Sequence, residues 1–308
     1  MRIAFQMDHP AGLKTATDTS IALMEEAIAR GAECYYYAPH TLSLHGTTVT
    51  ARAQRMHLQL GKTPYYTLED AITLALDTCD VVLVRQDPPF DMHYITATYL
   101  LERLPASTRV LNHPATLRNA PEKLSVTQFA AFTPPTLISE EPHAIHAFVK
   151  QHGNVVAKPL YGFGGHSVFV FAAGDPNLET FLEHWQTSNG GALVWQAFLP
   201  DVAKHECRIL FINGAVAAAF ARIPAEGSIR SNMRVGGTPA PHTLSDAQRA
   251  CCDMVGPWLK EAGVMLAGVD MIGAHLIEIN ITSPTGLRAA QQLYGHNLAA
   301  MFWDGLAA

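Results

Sequence analysis

The sequence lacks the signatures of several common metal-binding and nucleotide-binding classes. No G-x-G-x-x-G follows the first apolar segment, no H-E-x-x-H occurs among the fifteen histidines, and no C-x-x-C joins any of the five cysteines. These absences argue against a dinucleotide fingerprint, a histidine-based metal site and a zinc or disulfide framework. We therefore expect reduced, packed cysteines, and we assign no chemistry to the histidines.

The chain also lacks an excess of basic residues and any apolar run that could span a bilayer. Its 308 residues carry a formal net charge of −6, and the longest run of small apolar residues is 215–221. No charged segment followed by an apolar one opens the chain. We expect no nucleic-acid partner, no membrane partner and a cytoplasmic location.

What the chain has is apolar material, 48% of its residues, enough for a large core divided over two or three subdomains. Its first part alternates strand and helix. The predicted strands are 2–7, 34–38, 81–85 and 109–112, and the predicted helices are 21–30 and one near 68–78. This pattern predicts a Rossmann-like parallel-sheet α/β domain over residues 1–120.

The remainder follows a different pattern, in which hairpins combine with helices. A capping box at 119–122 predicts a helix over 123–132. The predicted elements of a small α+β lid domain over 121–198 are strands 155–158, 167–171 and 193–196 and helix 178–186. Those of an antiparallel-sheet α+β domain over 199–308 are strands 206–212 and 215–222, joined by Asn213-Gly214, and helix 247–262 before a last hairpin.

The last hairpin, 268–280, gathers oxygen ligands. With a three-residue turn centred on Ala274, Asp270 lies opposite Glu278. The other side chains predicted on the same face are Ile272, Leu276 and Asn280. Two opposed carboxylates repel by about 4 kcal/mol in a partly buried site, and a cation reverses the sign. Asp270, Glu278 and Asn280 therefore suit Mg²⁺, and the alternative is a solvated hairpin face with chance charges.

A glycine loop, 162–165, follows Lys158 and lies between two predicted strands. Its N–H groups can approach phosphate oxygens, although a Walker-type loop would end in Lys-Ser/Thr and lead into a helix. Taken alone, the loop is better explained as a hairpin turn, but together with the metal hairpin it predicts a nucleotide site. The residues assigned to the phosphates are Lys123, Lys158, Gly162, Gly164 and Gly165. Those assigned to the adenine are Gln196, Phe198 and Leu199, through their backbone, and Glu206 is assigned to the ribose.

Ordered motifs along nearly the whole chain resemble the ATP-grasp superfamily, and within it the bacterial glutathione synthetases. The motifs that carry the resemblance are Met7-Asp8, Asp18-Thr19-Ser20, residues 85–91, residues 117–124, Lys158-Pro159-Leu160 with the glycine loop, residues 221–224 and residues 278–285. So many matches in one order are hard to obtain by chance.

The resemblance implies an ATP-grasp fold and ATP-dependent ligation of γ-glutamylcysteine to glycine through an acyl phosphate. It implies ATP as co-substrate, two Mg²⁺ ions with Mn²⁺ as an alternative, and a homotetramer or homodimer. The residues implied in catalysis are Arg208, Lys158 and Asn232. Those implied in substrate binding are Asp18, Ser20, Arg85, Arg208, Arg222, Ser283, Thr285 and Gly286.

The loop 223–238 is similar to the family's mobile flap, which would keep water away from the acyl phosphate. Three positions depart from the family pattern: Gln86, often Lys; Ala197, often Asn or Glu; and Pro121, often Asn. We expect Gln86 to alter the grip on substrate, and Ala197 to matter little if adenine is bound by backbone groups.

The hairpin between Arg208 and Arg222 also has one residue fewer than is usual in the family. With an ideal two-residue turn the two arginines would face opposite ways. Either a bulge turns them to one face, or Arg222 is not a partner of Arg208.

Two other functions are consistent with these residues. One is another ATP-grasp carboxylate-amine ligase with a different acceptor, and the other is a non-catalytic ATP-binding module. Phosphate release from ATP with glycine, compared with other acceptors, distinguishes them.

Overall fold

A computed structural model of the protein describes residues 1–162, 167–188, 190–203, 206–224 and 237–307. The described strands form three sheets, of eight, four and five strands. Gly164, Gly165, Asn232 and most of the predicted flap lie outside the described residues.

The first sheet has a parallel centre with an antiparallel extension. Its elements and helices are β1 (Arg2–Gln6), α1 (Thr19–Ala29), β2 (Glu33–Tyr37), β3 (Leu42–His45), β4 (Thr48–Leu58), β5 (Tyr66–Leu68), β6 (Ile72–Ala75), β7 (Val81–Val84), α2 (Met92–Leu101), β8 (Arg109–Leu111) and α3 (Pro114–Asn119). The strand order is β3-β4-β2-β1-β7-β8, with β5 and β6 also paired to β4. Strands β2, β1, β7 and β8 run parallel, as predicted.

The predicted helix near 68–78 is wrong, because this stretch forms β5, β6 and a short 3-10 turn. Leu74 of β6 is buried, and Leu76 is buried at the start of the 3-10 turn. Leu74 pairs with Ala51 of β4. The long strand β4 was not predicted, and without it this stretch had no visible partner.

The second sheet belongs to a small unit with its own core. Its elements are β9 (Thr136–Ser139), α4 (Pro142–His152), β10 (Val155–Pro159), β11 (Phe169–Phe171), α5 (Asn177–Thr187) and β12 (Leu193–Ala197). The strand order is β11-β10-β12-β9, and all pairs are antiparallel. Ile145 and Val149 of α4, Leu178 and Leu182 of α5, and Trp195 of β12 pack together in a core to which only this segment of the described chain contributes.

The third sheet is antiparallel and is covered on both faces. Its elements are β13 (Glu206–Ile212), β14 (Ala215–Ile223), β15 (Thr238–Pro241), α6 (Asp246–Glu261), β16 (Leu266–Ile272), β17 (His275–Asn280), α7 (Leu287–Tyr294) and α8 (Leu298–Ala307). The order is β15-β14-β13-β16-β17. Helix α6 packs Cys251, Val255 and Leu259 on one face, and α8 joins the other face to α1. Among the described helices, none is long and apolar enough to cross a membrane.

The predicted helix over 123–132 is found only as a short 3-10 helix, Ser125–Phe129, and the stretch that contains it runs along the outer edge of β17. The Ile279 N–H donates to the carbonyl of Glu122 (3.0 Å), and the Leu276 N–H donates to the carbonyl of Phe132 (2.7 Å). The Glu122 carboxylate accepts a hydrogen bond from Thr282 instead of capping a helix. Without this segment the edge of β17 would leave backbone groups unpaired. Hydrogen bonding to that edge outweighs the local capping signal.

Asn112 fixes the first sheet to the third. Its Nδ2 donates to the carbonyls of Leu266 (2.8 Å) and Ile281 (2.6 Å), and its Oδ1 accepts from the N–H groups of Met265 (2.8 Å) and Leu266 (3.1 Å). The side chain is buried and its hydrogen bonds bridge residues about 150 positions apart in sequence. It therefore sets how the end of β8 meets the start of β16.

We expect Asn112→Ala to lower the free energy of unfolding by at least ~3 kcal/mol, because four buried backbone groups lose their partner. Urea unfolding followed by circular dichroism measures this. Asn177→Ala is the matched control, because Asn177 is exposed and bonds only within its own turn. A loss for Asn112→Ala no larger than that of the control would contradict the assigned role.

Candidate active site

The predicted metal hairpin is formed by β16 and β17, and Asp270 lies opposite Glu278 as predicted. A two-residue turn replaces the predicted three-residue turn, and Ile277 is the extra residue of a bulge. The bulge brings Leu276 opposite Met271 and into the apolar core. The predicted position of Leu276 on the polar face is therefore wrong, since one extra residue shifts every side chain before it to the other face.

A second bulge lies in the β13–β14 hairpin, and it decides whether Arg208 and Arg222 face the same way. The register of the two strands shifts by one residue midway along the hairpin. Arg222 consequently lies opposite Glu206, and Arg208 lies opposite Asp270 of the neighbouring strand β16. The four charged side chains share one face of the third sheet.

Asp270 is the centre of this group, and only 1% of it is exposed. Arg208 binds it through two nitrogens, with Nε 2.5 Å from Oδ1 and Nη2 2.7 Å from Oδ2. Arg222 Nη2 lies 2.8 Å from Oδ2, and Asn280 Nδ2 donates to the same oxygen (3.0 Å). Burial by itself would raise the pKa of Asp270, but the two guanidinium groups outweigh it and hold the pKa below its ordinary value.

Gly268 makes room for the Arg208 guanidinium. A Cβ atom at this position would stand 2.7 Å from Arg208 Nη1, closer than such atoms approach. A glycine inside a strand often marks such a close approach. Nη1 in turn donates to the carbonyl of Thr285 (3.1 Å), so that three sides of the guanidinium are fixed.

Glu206 and Arg222 form the second layer of the charged group. Arg222 Nη2 lies 2.7 Å from Glu206 Oε1. Burial raises the pKa of Glu206 to about 7, and the adjacent Arg222 opposes that rise. The Glu206 carboxylate is thus engaged by Arg222. Contact between Glu206 and a ribose stays a prediction. Arg222 Nε is buried and has no hydrogen-bond partner among the described residues, so that it can donate to an anionic ligand.

Lys123 connects β17 (the metal strand, which carries the predicted ligands Glu278 and Asn280) to Gly162 of the predicted glycine loop. It is 5% exposed, its Nζ lies 3.6 Å from Glu278 Oε1, and it donates a hydrogen bond to the carbonyl of Gly162. Lys123 therefore lies between a predicted metal ligand and the start of the predicted phosphate loop.

Lys158 reaches the same region from β10. Its Nζ donates to Gln196 Oε1 (3.0 Å), and Gln196 Nε2 donates to Thr136 Oγ1 (3.2 Å). Burial lowers the pKa of Lys158, while the carboxylate of Glu278 acts in the opposite direction. An anionic ligand beside Lys158 would compensate its buried charge.

The segment predicted to bind adenine has fewer free backbone donors than expected. The Ala197 N–H donates to the carbonyl of Pro135 (3.0 Å), and the Phe198 N–H donates to the carbonyl of Asn154 (2.9 Å). Gln196 lies inside β12 between two paired strands. The backbone groups left for an adenine therefore begin at the Phe198 carbonyl and the Leu199 N–H, since the Leu199 carbonyl accepts from the Val202 N–H (3.1 Å).

Most of the predicted substrate residues meet where the first and third sheets touch. Arg85 is buried, its Nε donates to Ser20 Oγ (3.1 Å), and its Nη2 donates to the carbonyl of Pro284 (3.0 Å). Ser283 Oγ donates to the carbonyl of Gln86 (2.7 Å). The carboxyl ends of β1 and β7 thus open towards the charged group, as is usual for ligand sites in parallel sheets.

Asp18, Thr285 and Gly286 are explained by structural roles. The Asp18 carboxylate caps α1 by accepting from the Ile21 N–H (2.9 Å), and the Thr285 carbonyl holds Arg208. Gly286 has φ +123° at the start of α7, a conformation that favours glycine. Their contacts with substrate stay predictions.

Sequence reasoning missed Gly268, Glu122 and Thr282. Gly268 carried a signal, because a glycine inside a strand pattern suggests a close approach. Glu122 was assigned to a helix cap, and Thr282 was quoted only as part of a motif. Their contact crosses 160 positions of sequence.

Models of two domains match almost the whole chain: the N-terminal domain of prokaryotic glutathione synthetase over residues 1–118, and the ATP-grasp domain of the same enzyme over residues 122–295. The chain belongs to the prokaryotic glutathione synthetase family. The glutathione synthetase of Brucella melitensis biotype 1 is 43% identical over 308 residues, which cover 100% of this chain and 99% of that one. The glutathione synthetase of Mesorhizobium japonicum is 44% identical over 306 residues, 99% of this chain and 98% of that one.

More distant structures agree on the fold. The D-cycloserine synthetase DcsG has a TM-score of 0.70 at 16% identity and covers 100% of this chain and 99% of its own. A RimK domain protein of the ATP-grasp type from Sphaerobacter thermophilus has a TM-score of 0.67 at 20% identity, with 99% of each chain covered. The predicted ATP-grasp fold and the predicted ATP-dependent ligase of glutathione synthesis are thereby confirmed for this member of the glutathione synthetase family.

We expect Gly268→Ala to lower kcat for glutathione formation at least ~10-fold, because the new methyl group moves the Arg208 guanidinium off its fixed position. The free energy of unfolding should fall by only about 1–3 kcal/mol. Coupled ADP release and urea unfolding measure the two effects. Gly12→Ala is the control, since a Cβ there would meet nothing within 4 Å. Unchanged kcat in Gly268→Ala would exclude a role for this geometry.

Proposed function

We propose that the protein joins γ-glutamylcysteine to glycine. ATP transfers its γ-phosphoryl group to the cysteinyl carboxylate, which gives an acyl phosphate and ADP. The glycine amine then attacks the acyl carbon, and the tetrahedral intermediate expels phosphate. The observation that carries this proposal is the convergence of charged side chains at one end of the third sheet: Asp270, Glu278, Glu206, Arg208, Arg222, Lys123 and Lys158.

Both chemical steps place negative charge in a site from which water is excluded, and fixed cations stabilise such charge. Lys123 and Lys158 would contact the phosphates of ATP. Arg208 would stabilise the transferred phosphoryl group and the oxyanion that follows. Arg222 would donate its unpartnered Nε to the substrate carboxylate or the phosphate. Arg85 and Ser20 would hold the peptide at the edge of the first sheet.

The donor set fits Mg²⁺. Glu278 and Asn280 are only half-buried, and Asn280 directs its Nδ2 to Asp270, which leaves its Oδ1 as a ligand. The Asp270 oxygens already accept from two guanidinium groups, so that Asp270 would serve as a ligand by sharing or giving up some of these bonds. Two bound Mg²⁺ ions, or Mn²⁺ in their place, would neutralise charge on the β- and γ-phosphates.

We expect Glu278→Gln to reduce glutathione formation by ~10²-fold or more. The variant loses the negative charge that would bind the metal, while the side chain keeps nearly the same size. The fold should be intact by circular dichroism. Glu261→Gln is the control, since Glu261 is an exposed carboxylate at the end of α6. Full activity of Glu278→Gln over a titration of Mg²⁺ would rule out the metal assignment.

The acceptor is tested by phosphate release from ATP in the presence of γ-glutamylcysteine and one amine at a time. We expect glycine to support release at least ~10-fold faster than alanine, serine or glutamate, since one added methyl group in a tight site costs 1–3 kcal/mol. A faster rate with another amine would favour a different carboxylate-amine ligase. Nucleotide binding without ADP formation under any acceptor would favour the non-catalytic module.

We also propose that the three sheets correspond to domains 1–120, 121–198 and 199–308, which supply the substrate side, the lid and the metal side. The separate core of the second sheet supports a lid that moves as a unit. The nucleotide would lie between the second and third sheets, with its adenine near Phe198 and Leu199.

The family resemblance further suggests a homotetramer or homodimer in the bacterial cytoplasm. The location is supported by the cysteines, all five of which lie within the described residues, buried and free of disulfides. Sedimentation of the purified protein would establish the oligomeric state.

A further inference from the structure

Glu122 lies beside the active site. Neither the proposed reaction nor the pairing of the strands assigns a role to its carboxylate. The capping box at 119–122 does not cap a helix, because the 3-10 helix that follows (Ser125–Phe129) begins after Leu124 and receives no side-chain cap. Burial, followed by the nearby charge of Glu278, raises the pKa of Glu122 to about 7. Glu122 is half-buried beside a second carboxylate, so its position calls for a structural reason.

Glu122 holds the metal strand at two points. Its carbonyl accepts from the Ile279 N–H (3.0 Å), and its Oε1 accepts from Thr282 Oγ1 (2.9 Å). Ile279 lies between the proposed metal ligands Glu278 and Asn280, and Thr282 lies just beyond them. Glu122 therefore contacts the ligand-bearing strand through its main chain and the segment directly after that strand through its side chain.

The next residue along the chain is Lys123. Its ammonium group lies 3.6 Å from Glu278 Oε1 and donates to the carbonyl of Gly162. A lysine side chain has four rotatable bonds, so its reach is specific only if its own backbone is fixed. Glu122 supplies that fixed point, and it does so against the same strand that carries Glu278.

We propose that Glu122 is a positioning residue, which through Thr282 holds Lys123 in place between Glu278 and Gly162. The proposal rests on the proposed role of Lys123 at the nucleotide phosphates. It depends on the acceptor oxygen of Glu122 and on the hydroxyl of Thr282. Glu122→Gln and Thr282→Ser should therefore keep Lys123 largely in position. Glu122→Ala and Thr282→Val should not.

The first test is the affinity for ADP and Mg²⁺, measured by calorimetry on the full-length protein. We expect Thr282→Val and Glu122→Ala to weaken binding by roughly 3- to 10-fold, the worth of one hydrogen bond, and to raise KM for ATP in proportion. Glu122→Gln and Thr282→Ser should stay within about twofold. Wild-type affinity in both Thr282→Val and Glu122→Ala would overturn the proposal.

The matched control is Thr116→Val. Thr116 Oγ1 donates to the carbonyl of Ala262, so this variant also removes a threonine hydrogen bond to a distant segment, the C-terminal end of α6, but away from the charged group. Thr116→Val should lower stability and leave the affinity for ADP unchanged. Equal loss of affinity in Thr116→Val and Thr282→Val would reduce Glu122 to a structural contact and overturn the proposal.

A double-mutant cycle separates this inference from the proposed function. Lys123→Met alone should weaken ADP binding by ~10-fold or more, and a normal affinity would refute the role of Lys123 itself. In the Lys123→Met background, Thr282→Val should have no further effect, because the residue that Glu122 positions is gone. Full additivity of the two losses would overturn the inference while leaving the proposed function standing. If Glu122→Ala does not fold, Thr282→Val carries the test.

Discussion

The active site depends on one buried carboxylate and the two guanidinium groups that keep it charged. An isolated ion at the position of Asp270 would cost several kcal/mol, and removing one partner of a buried pair costs about as much. Arg208 and Arg222 meet this cost from a neighbouring hairpin. Much of the local structure follows from that need, including the bulge that turns Arg222 inwards and the missing side chain at Gly268.

Residues 282–285 carry the connection between the parts of the site. Each of these four consecutive residues contacts a different partner: Thr282 binds Glu122, Ser283 binds the Gln86 carbonyl, the Pro284 carbonyl binds Arg85, and the Thr285 carbonyl binds Arg208. The segment follows directly after the proposed metal ligands on β17. This short stretch of chain therefore positions three parts of the site relative to β17. They are the proposed substrate residue Arg85, the segment that carries Lys123, and Arg208.

The sequence predicted most strands and helices whose partners are close in the chain. Both hairpins of the third sheet and the βαβ start of the first were visible from local periodicity and turn residues. The errors fell where a distant partner decided the outcome. Residues 68–75 formed strands because β4 offers an edge, and residues 123–132 formed only a short 3-10 helix while covering the edge of β17. Such partners have no local signature.

The sequence by itself determined the family, the fold class and the identity of the charged residues, because these depend on residue types in a fixed order. The predicted pairing of Asp270 with Glu278 is confirmed as well, although a two-residue turn and a bulge at Ile277 produce it in place of the predicted three-residue turn. Only the tertiary structure decided which way Leu276 and Arg222 face, since a single extra residue in a strand reverses a side chain and leaves no mark in composition. It also decided that Glu122 contacts Thr282 and the edge of β17 and does not cap a helix, because these contacts join residues that are neighbours only after folding.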